Sequence, residues 1–185
     1  MKTYELEIEQ DNDPMNPRTE WDNITTMVCF HRNYNLGDKH NYKSSDFESW
    51  DELKEQIMND HKVLAIKPLY MYDHSGITIS TSPFSCRWDS GQIGWVFITL
   101  ERLKSIIGEN ESIKLNEFID SDVETYDNYL TGEVYQYTIY EIETCSLGHE
   151  HKSIVESCGG FFDEEDCENE GKSVLQHLEK ELQTN

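Results

Sequence analysis

Several groups of side chains in this sequence are of the kinds that catalysis or metal binding needs. The first lies in PLYMYDHSGITISTSPFSCRWDSGQIGW, residues 68–95, which carries Asp73, His74, Cys86 and Asp89. A cysteine nucleophile needs an adjacent base to form its thiolate and a third group to orient that base. Cys86 with His74 or His31, and Asp89 or Asp73 behind the base, would supply these roles. Gly76, Pro83, Gly91 and Gly94 break the stretch into turns, and sites are often carried on such segments. Two features weigh the other way. No family-specific signature surrounds the cysteine, and a Cys between Phe84 and Trp88 is also what a small core residue looks like.

A second group, Cys145, His149, His151 and Cys158, offers zinc donors in a C-x3-H-x-H-x6-C arrangement that differs from paired zinc knuckles. Cys29 and His31 are two apart, so in a strand they share a face and read as core lining as readily as half a site. Asp11 and Asp13 open like a calcium loop, but Asn16 stands where the loop needs Gly and Asp22 where it needs Glu. A turn is the expectation there. No glycine-rich phosphate motif is present. The sequence therefore assigns no catalytic residue, no metal ligand and no cofactor. A Cys/His-dependent or metal-dependent enzyme modifying a host factor remains the alternative function.

The elements that must position these groups follow from periodicity. Tyr4, Leu6 and Ile8 alternate with Glu5, Glu7 and Glu9, a half-buried strand. Residues 11–23 form a turn-rich connection, and Thr25–Phe30 a short buried strand. Ser44, Ser45 or Asp46 caps a helix to about Asp60, with Phe47, Trp50, Leu53, Ile57 and Met58 as its apolar stripe. A strand over Val63–Tyr72 contains Pro68, which marks an edge or a bulge. Ile77–Ser80 and Gly94–Ile98 are strands. Thr99 caps a short helix through Ile106 and Ile107 to Gly108. A longer helix over Leu115–Leu130 ends at Gly132. Val134–Ile142 is a strand, Cys145–Phe162 a turn and a further strand, and Val174, Leu175, Leu178 and Leu182 line a final helix. The sum is one α+β domain over residues 1–185, a mostly antiparallel sheet with three to four amphipathic helices.

Composition restricts the partners. The chain has 185 residues and a formal charge of −22, from 37 acidic and 15 basic side chains. Residues 1–100 carry a net −7 and residues 101–185 a net −15. Such a chain repels nucleic acid and anionic membranes and is attracted to basic surfaces, which nucleic-acid-binding proteins own most often. Five cysteines, no signal peptide and no long apolar run fit a reducing host-cell cytoplasm.

The charge is also patterned. Glu117, Asp120, Glu124 and Asp127 fall at i, i+3, i+7 and i+10 of the longer helix. Ten residues rise about 15 Å, so the spacing is roughly one charge per 4 Å, near the 3.4 Å of a single DNA strand. With Asp163, Glu164, Glu165 and Asp166, these residues form the expected partner-binding surface. A plain solvated helix face is the competing reading.

The segments WDNITTMVCFHRNYNLGD (21–38), YDHSGITISTSPFSCRWDSGQIGW (72–95), YLTGEVY (129–135) and SCGGFF (157–162) resemble a family of small proteins carried by phages and mobile elements. That family includes a type II anti-CRISPR inhibitor. Gly159 departs from the family pattern, which has a large aromatic there. The resemblance implies an anti-defence protein that binds host Cas9, or another basic nucleic-acid-binding defence protein, and blocks its DNA binding or activation. It carries over no catalytic residues. On this reading the polar groups of 68–95 satisfy turns, Cys86 is a folding residue, and the acidic helix meets the partner.

Overall fold

The computed structural model describes residues 2–106 and 114–184. In chain order its elements are β1 (Lys2–Gln10), α1 (Pro17–Glu20), β2 (Thr25–Cys29), α2 (Trp50–Asp60), β3 (Val63–Asp73), β4 (Ile77–Ser80), β5 (Ser90–Thr99), α3 (Leu100–Ile106), α4 (Leu115–Thr131), β6 (Tyr135–Thr144), β7 (Glu150–Phe161) and α5 (Glu164–Thr184). The class is α+β and every strand pairing is antiparallel. The strands divide between two sheets, in place of the one expected. They belong to two compact units, Met1–Met15 with Gly132–Asn185 and Asn16–Thr131.

In the first unit the sheet order is β1-β6-β7. The alternation of β1 places Leu6 and Ile8, with Tyr137 and Ile139 of β6, against Val174, Leu175 and Leu178 of α5. Leu182, expected on that stripe, is exposed one turn further on. β7 is exposed almost throughout, because α5 lies over β1 and β6 and leaves the edge strand bare. Asp11 closes the unit: its Oδ2 accepts from the Gly160 backbone N–H at 3.0 Å and its Oδ1 from that of Asp13. A Cβ on Gly159 would stand 2.4 Å from that carboxylate oxygen. Glycine leaves room for this contact with Asp11.

The second unit is a four-stranded sheet, β2-β5-β3-β4, with a helix on each face. β5 is its hydrophobic axis and is buried on both sides, as expected of a central strand covered on both faces. Val96 and Ile98 join Met27, Leu69 and Met71 beneath Ile119, Val123 and Tyr126 of α4. Trp95 and Phe97 join Val28 beneath Leu53 and Ile57 of α2. Gly94 is required where β5 meets β2, since a Cβ there would lie 1.9 Å from the Val28 carbonyl oxygen. Pro68 sits where β3 is paired to β5 alone, β4 reaching only Tyr70–Asp73, so its missing N–H breaks no ladder bond on the open side.

Two stretches differ from the sequence reading. Ser44–Asp46 is a separate 3-10 turn, and the cap of α2 is Ser49, whose Oγ accepts from the Glu52 N–H at 3.2 Å. Glu52 returns a bond to the backbone N–H of Glu48, so a near capping box sets the start. The connection at 11–23 contains α1, capped by Asn16 with Pro17 in its first turn. Thr99 caps α3 as expected, accepting from Arg102 N–H at 3.2 Å. Ile107 and Gly108, the expected end of that helix, lie outside the described residues.

Candidate functional site

The four acids chosen on α4 separate into two kinds. Asp127 faces β4, where its Oδ1 accepts from the Ile79 backbone N–H at 2.7 Å and its Oδ2 from the Thr78 hydroxyl at 2.9 Å. Asp120 accepts from Lys67 Nζ at 2.6 Å and from the Thr81 hydroxyl at 2.7 Å. Burial works to raise the Asp120 carboxyl, but hydrogen bonds from Lys67 and Thr81, with the lysine charge, outweigh it and hold the group below its ordinary value. Both side chains fasten α4 to the sheet. Glu117 and Glu124 are exposed, and Glu117 pairs with Lys114 at 2.9 Å. Of the four, Glu117, Asp120 and Glu124 are exposed, and Asp120 and Asp127 also tie α4 to the sheet.

Asp163, Glu164, Glu165 and Asp166 are all exposed and open α5. Asp163 acts as a cap, its Oδ1 accepting from the Asp166 N–H at 3.0 Å. Acids in a first helical turn also interact favourably with the helix dipole. Among the described residues, Glu164, Glu165 and Asp166 form no ion pair, whereas Glu168 one turn later pairs with Lys172. This is a compact block of uncompensated negative charge.

The Cys86 group does come together, in an order that differs from a nucleophile–base–orienter chain. Asp89 Oδ2 lies 3.6 Å from Cys86 Sγ and 3.4 Å from His74 Nδ1, so the carboxylate stands between thiol and imidazole. The contact a general base needs, ring nitrogen to thiol, is replaced by two contacts to one oxygen. His31 is elsewhere, stacked on Tyr34 at 5.0 Å. Cys86 is half-exposed and Trp88 is 95 % exposed, so the expected core packing around the cysteine is absent from this loop. Its backbone groups are satisfied as turns: Asp73 N–H donates to the Asp89 carbonyl at 2.8 Å, and Ser90 Oγ donates to the Cys86 carbonyl.

The zinc donors are spread along a hairpin. Cys145 and His149 close its turn, the Cys145 N–H donating to the His149 carbonyl at 2.9 Å. Cys158 pairs with Tyr137 seven residues along β7 from His151, which pairs with Glu143. That separation is roughly 23 Å at ~3.3 Å per residue, so the four cannot share one ion. Cys29 is buried in the core beneath α4, and burial, with the nearby Asp38 charge, pushes its thiol up to about 12.

The most tightly built polar cluster was missed. Arg18 of α1 is buried and donates to both oxygens of Asp38, to Asp122 of α4 at 2.8 Å, and to the Thr25 carbonyl at 3.1 Å. Asn16-Pro17, an N-cap followed by a favoured first-turn residue, was the available signal for α1. Nothing in the local sequence says that the arginine turns inward. No family model, no curated protein and no solved structure matches this chain.

Proposed function

We propose that this chain is a binding protein that presents acidic surface to a basic, nucleic-acid-handling host defence protein and blocks it stoichiometrically. The observation that carries the reading is the block Glu164-Glu165-Asp166, exposed and without an ion pair among the described residues, within a stretch of net charge −15. Unpaired, solvated carboxylates lose little on meeting a cationic groove and release its bound counter-charge, while like charge steers the chain away from nucleic acid itself. Glu124, and Glu117 beside Lys114, are exposed acids of the Asn16–Thr131 unit.

Cas9 is the first candidate, because it holds its nucleic acids in positively charged channels and reads its PAM with arginines. The resemblance of residues 72–95 and 157–162 to the phage and mobile-element family points the same way. The test is calorimetric titration of the chain into purified guide-loaded Cas9 at low and high salt. Binding that weakens steeply with salt is expected. No heat of binding, or an affinity indifferent to salt, opposes the proposal.

A further inference from the structure

A cavity of about 480 Å³ opens in the Asn16–Thr131 unit, lined from α1, β2, the loop after β2, α3 and α4. Its volume falls in the ~300–1,000 Å³ range of small-ligand sites, which are lined mostly by apolar groups. This one is not. Apart from Gly37, every residue lining it carries a polar or charged side chain.

Four of those residues are charged: Arg18, Asp38, Lys39 and Arg102. Arg18 and Asp38 cancel. All five N–H donors of Arg18 are spent, on both Asp38 oxygens, on Asp122, and on the hydroxyl and carbonyl of Thr25. Asp38 is the only acid in the lining, and its Oδ2 also accepts from the Met27 N–H. Lys39 and Arg102 remain. Carboxylates are plentiful in this chain, and Lys2, Lys67, Lys152 and Lys172 each hold one. Among the described residues, no carboxylate pairs with Lys39 or Arg102, and both are exposed.

The lining therefore keeps two uncompensated positive charges inside a chain of −22. The wider negative field reaches them weakly, because exposed charges are screened over about 8 Å at physiological ionic strength. An anion in the cavity responds first to the two cations beside it.

We infer that this cavity is a phosphate site, taking the dianion free or as the monoester of a small polar molecule. A phosphate monoester carries nearly two negative charges at neutral pH, one for each cation. The Arg102 guanidinium presents a planar fork to two phosphate oxygens, and Lys39 adds a point charge. A monocarboxylate would leave one cation unmatched. The volume is that of roughly sixteen waters at ~30 Å³ each, several times what one phosphate fills. Thr19, Thr26 and Asn35 line the remainder with hydroxyl and amide groups, which suit the hydroxyls of a sugar. The donors come from separate elements, so no contiguous glycine-rich motif marks the site. It stands independently of the acidic block on α5, which belongs to the other unit.

The test is a ¹H–¹⁵N correlation titration of the full chain with ribose 5-phosphate and with inorganic phosphate, and with acetate and ribose as comparisons. Saturable shifts at the amides of Thr19, Asn35, Gly37, Lys39 and Arg102 are expected for both phosphates, with acetate and ribose at least about tenfold weaker. A tighter ester assigns the source to a phosphorylated small molecule, and equal affinity assigns it to the free ion. Arg102→Gln is expected to weaken both phosphates about tenfold, Lys39→Gln about fivefold, and Arg102→Lys, which keeps the charge without the fork, about threefold. Arg87→Gln removes the same charge from the exposed loop between β4 and β5 and is expected to leave binding unchanged. Should Arg102→Gln disturb the fold, Lys39→Gln on the exposed loop after β2 reads the same loss. Shifts that never saturate, an equal loss in Arg87→Gln, or acetate at the affinity of phosphate overturn the assignment.

Discussion

Arg18 and Asp38 meet as a two-pronged pair, Nε to Oδ1 at 3.1 Å and Nη2 to Oδ2, with the arginine side chain 1 % exposed. The same guanidinium holds Asp122 of α4, and Asp38 in turn accepts from the Met27 N–H at 2.8 Å. One side chain therefore connects α1, β2, the turn after it and α4. Removing it leaves two carboxylates partly buried and unpaired. Arg18→Met is expected to cost about 3 kcal/mol, the lower end for a broken buried pair because both acids retain some exposure. Arg18→Lys is expected to recover only a minor part, since an ammonium cannot fill both prongs. Urea unfolding checks both.

Gly159 and Asp11 give a second, separable expectation. Gly159→Ala places a methyl group against the Asp11 carboxylate and is expected to cost about 1–2 kcal/mol through loss of the bond to Gly160. In an Asp11→Ala background the same substitution is expected to cost much less. A double-mutant cycle reads the difference, and equal costs in both backgrounds would show that the two residues are not coupled.

The cysteines differ in environment and are expected to differ in reactivity. Burial raises Cys29 to about 12 and Cys167 to about 11, while Cys158 is exposed and Cys86 and Cys145 are half-exposed. At pH 8 a chromogenic disulfide reagent is expected to label the last three in the folded protein, and Cys29 and Cys167 only after denaturation. Both buried thiols hold their protons more tightly when folded. Their contribution to stability is thus full below the ordinary thiol value of 9.0 and falls as pH rises toward about 12 and about 11. Midpoints of urea unfolding between pH 8 and 10.5 are expected to decrease.

How far the sequence carried depends on what each residue needs for its reading. Period-two and period-3.6 patterns located β1, β2, β4, α4 and α5, because burial of one face is written into neighbouring residues. Two sheets were read as one, since strand pairing is a long-range choice that no local pattern records. The acids of α4 all looked solvated. Asp127 and Asp120 turned out to serve Ile79, Thr78, Lys67 and Thr81, partners some forty to fifty residues away in the chain. Cys86 looked like a small core residue between two aromatics, yet it is half-exposed on a loop whose turns are satisfied by backbone and Ser90 contacts and whose Trp88 is exposed. The exposure of Asp163, Glu164, Glu165 and Asp166 was legible because a run of adjacent charges needs no distant partner to stay in solvent.

Trp88 is expected to be dispensable for folding. Trp88→Ser on this 95 % exposed side chain should change stability by no more than about 0.5 kcal/mol. Cys86→Ala is expected to behave likewise. A large loss in thermal denaturation for either would restore the loop to the core.

The acidic surface is best probed at carboxylates that make no hydrogen bond or ion pair to another element among the described residues. Asp120 and Asp127 are poor choices, since reversing them unties α4. A Glu164→Lys, Glu165→Lys, Asp166→Lys variant changes the uncompensated block and leaves the Asp163 cap in place. The most direct measurement is DNA cleavage by a fixed amount of guide-loaded Cas9 as the chain is titrated in. Cleavage is expected to fall to an end point near equimolar chain, and the triple variant, shown folded by circular dichroism, to lose inhibition. Undiminished cleavage at large excess, or inhibition untouched by the three reversals, would contradict the account.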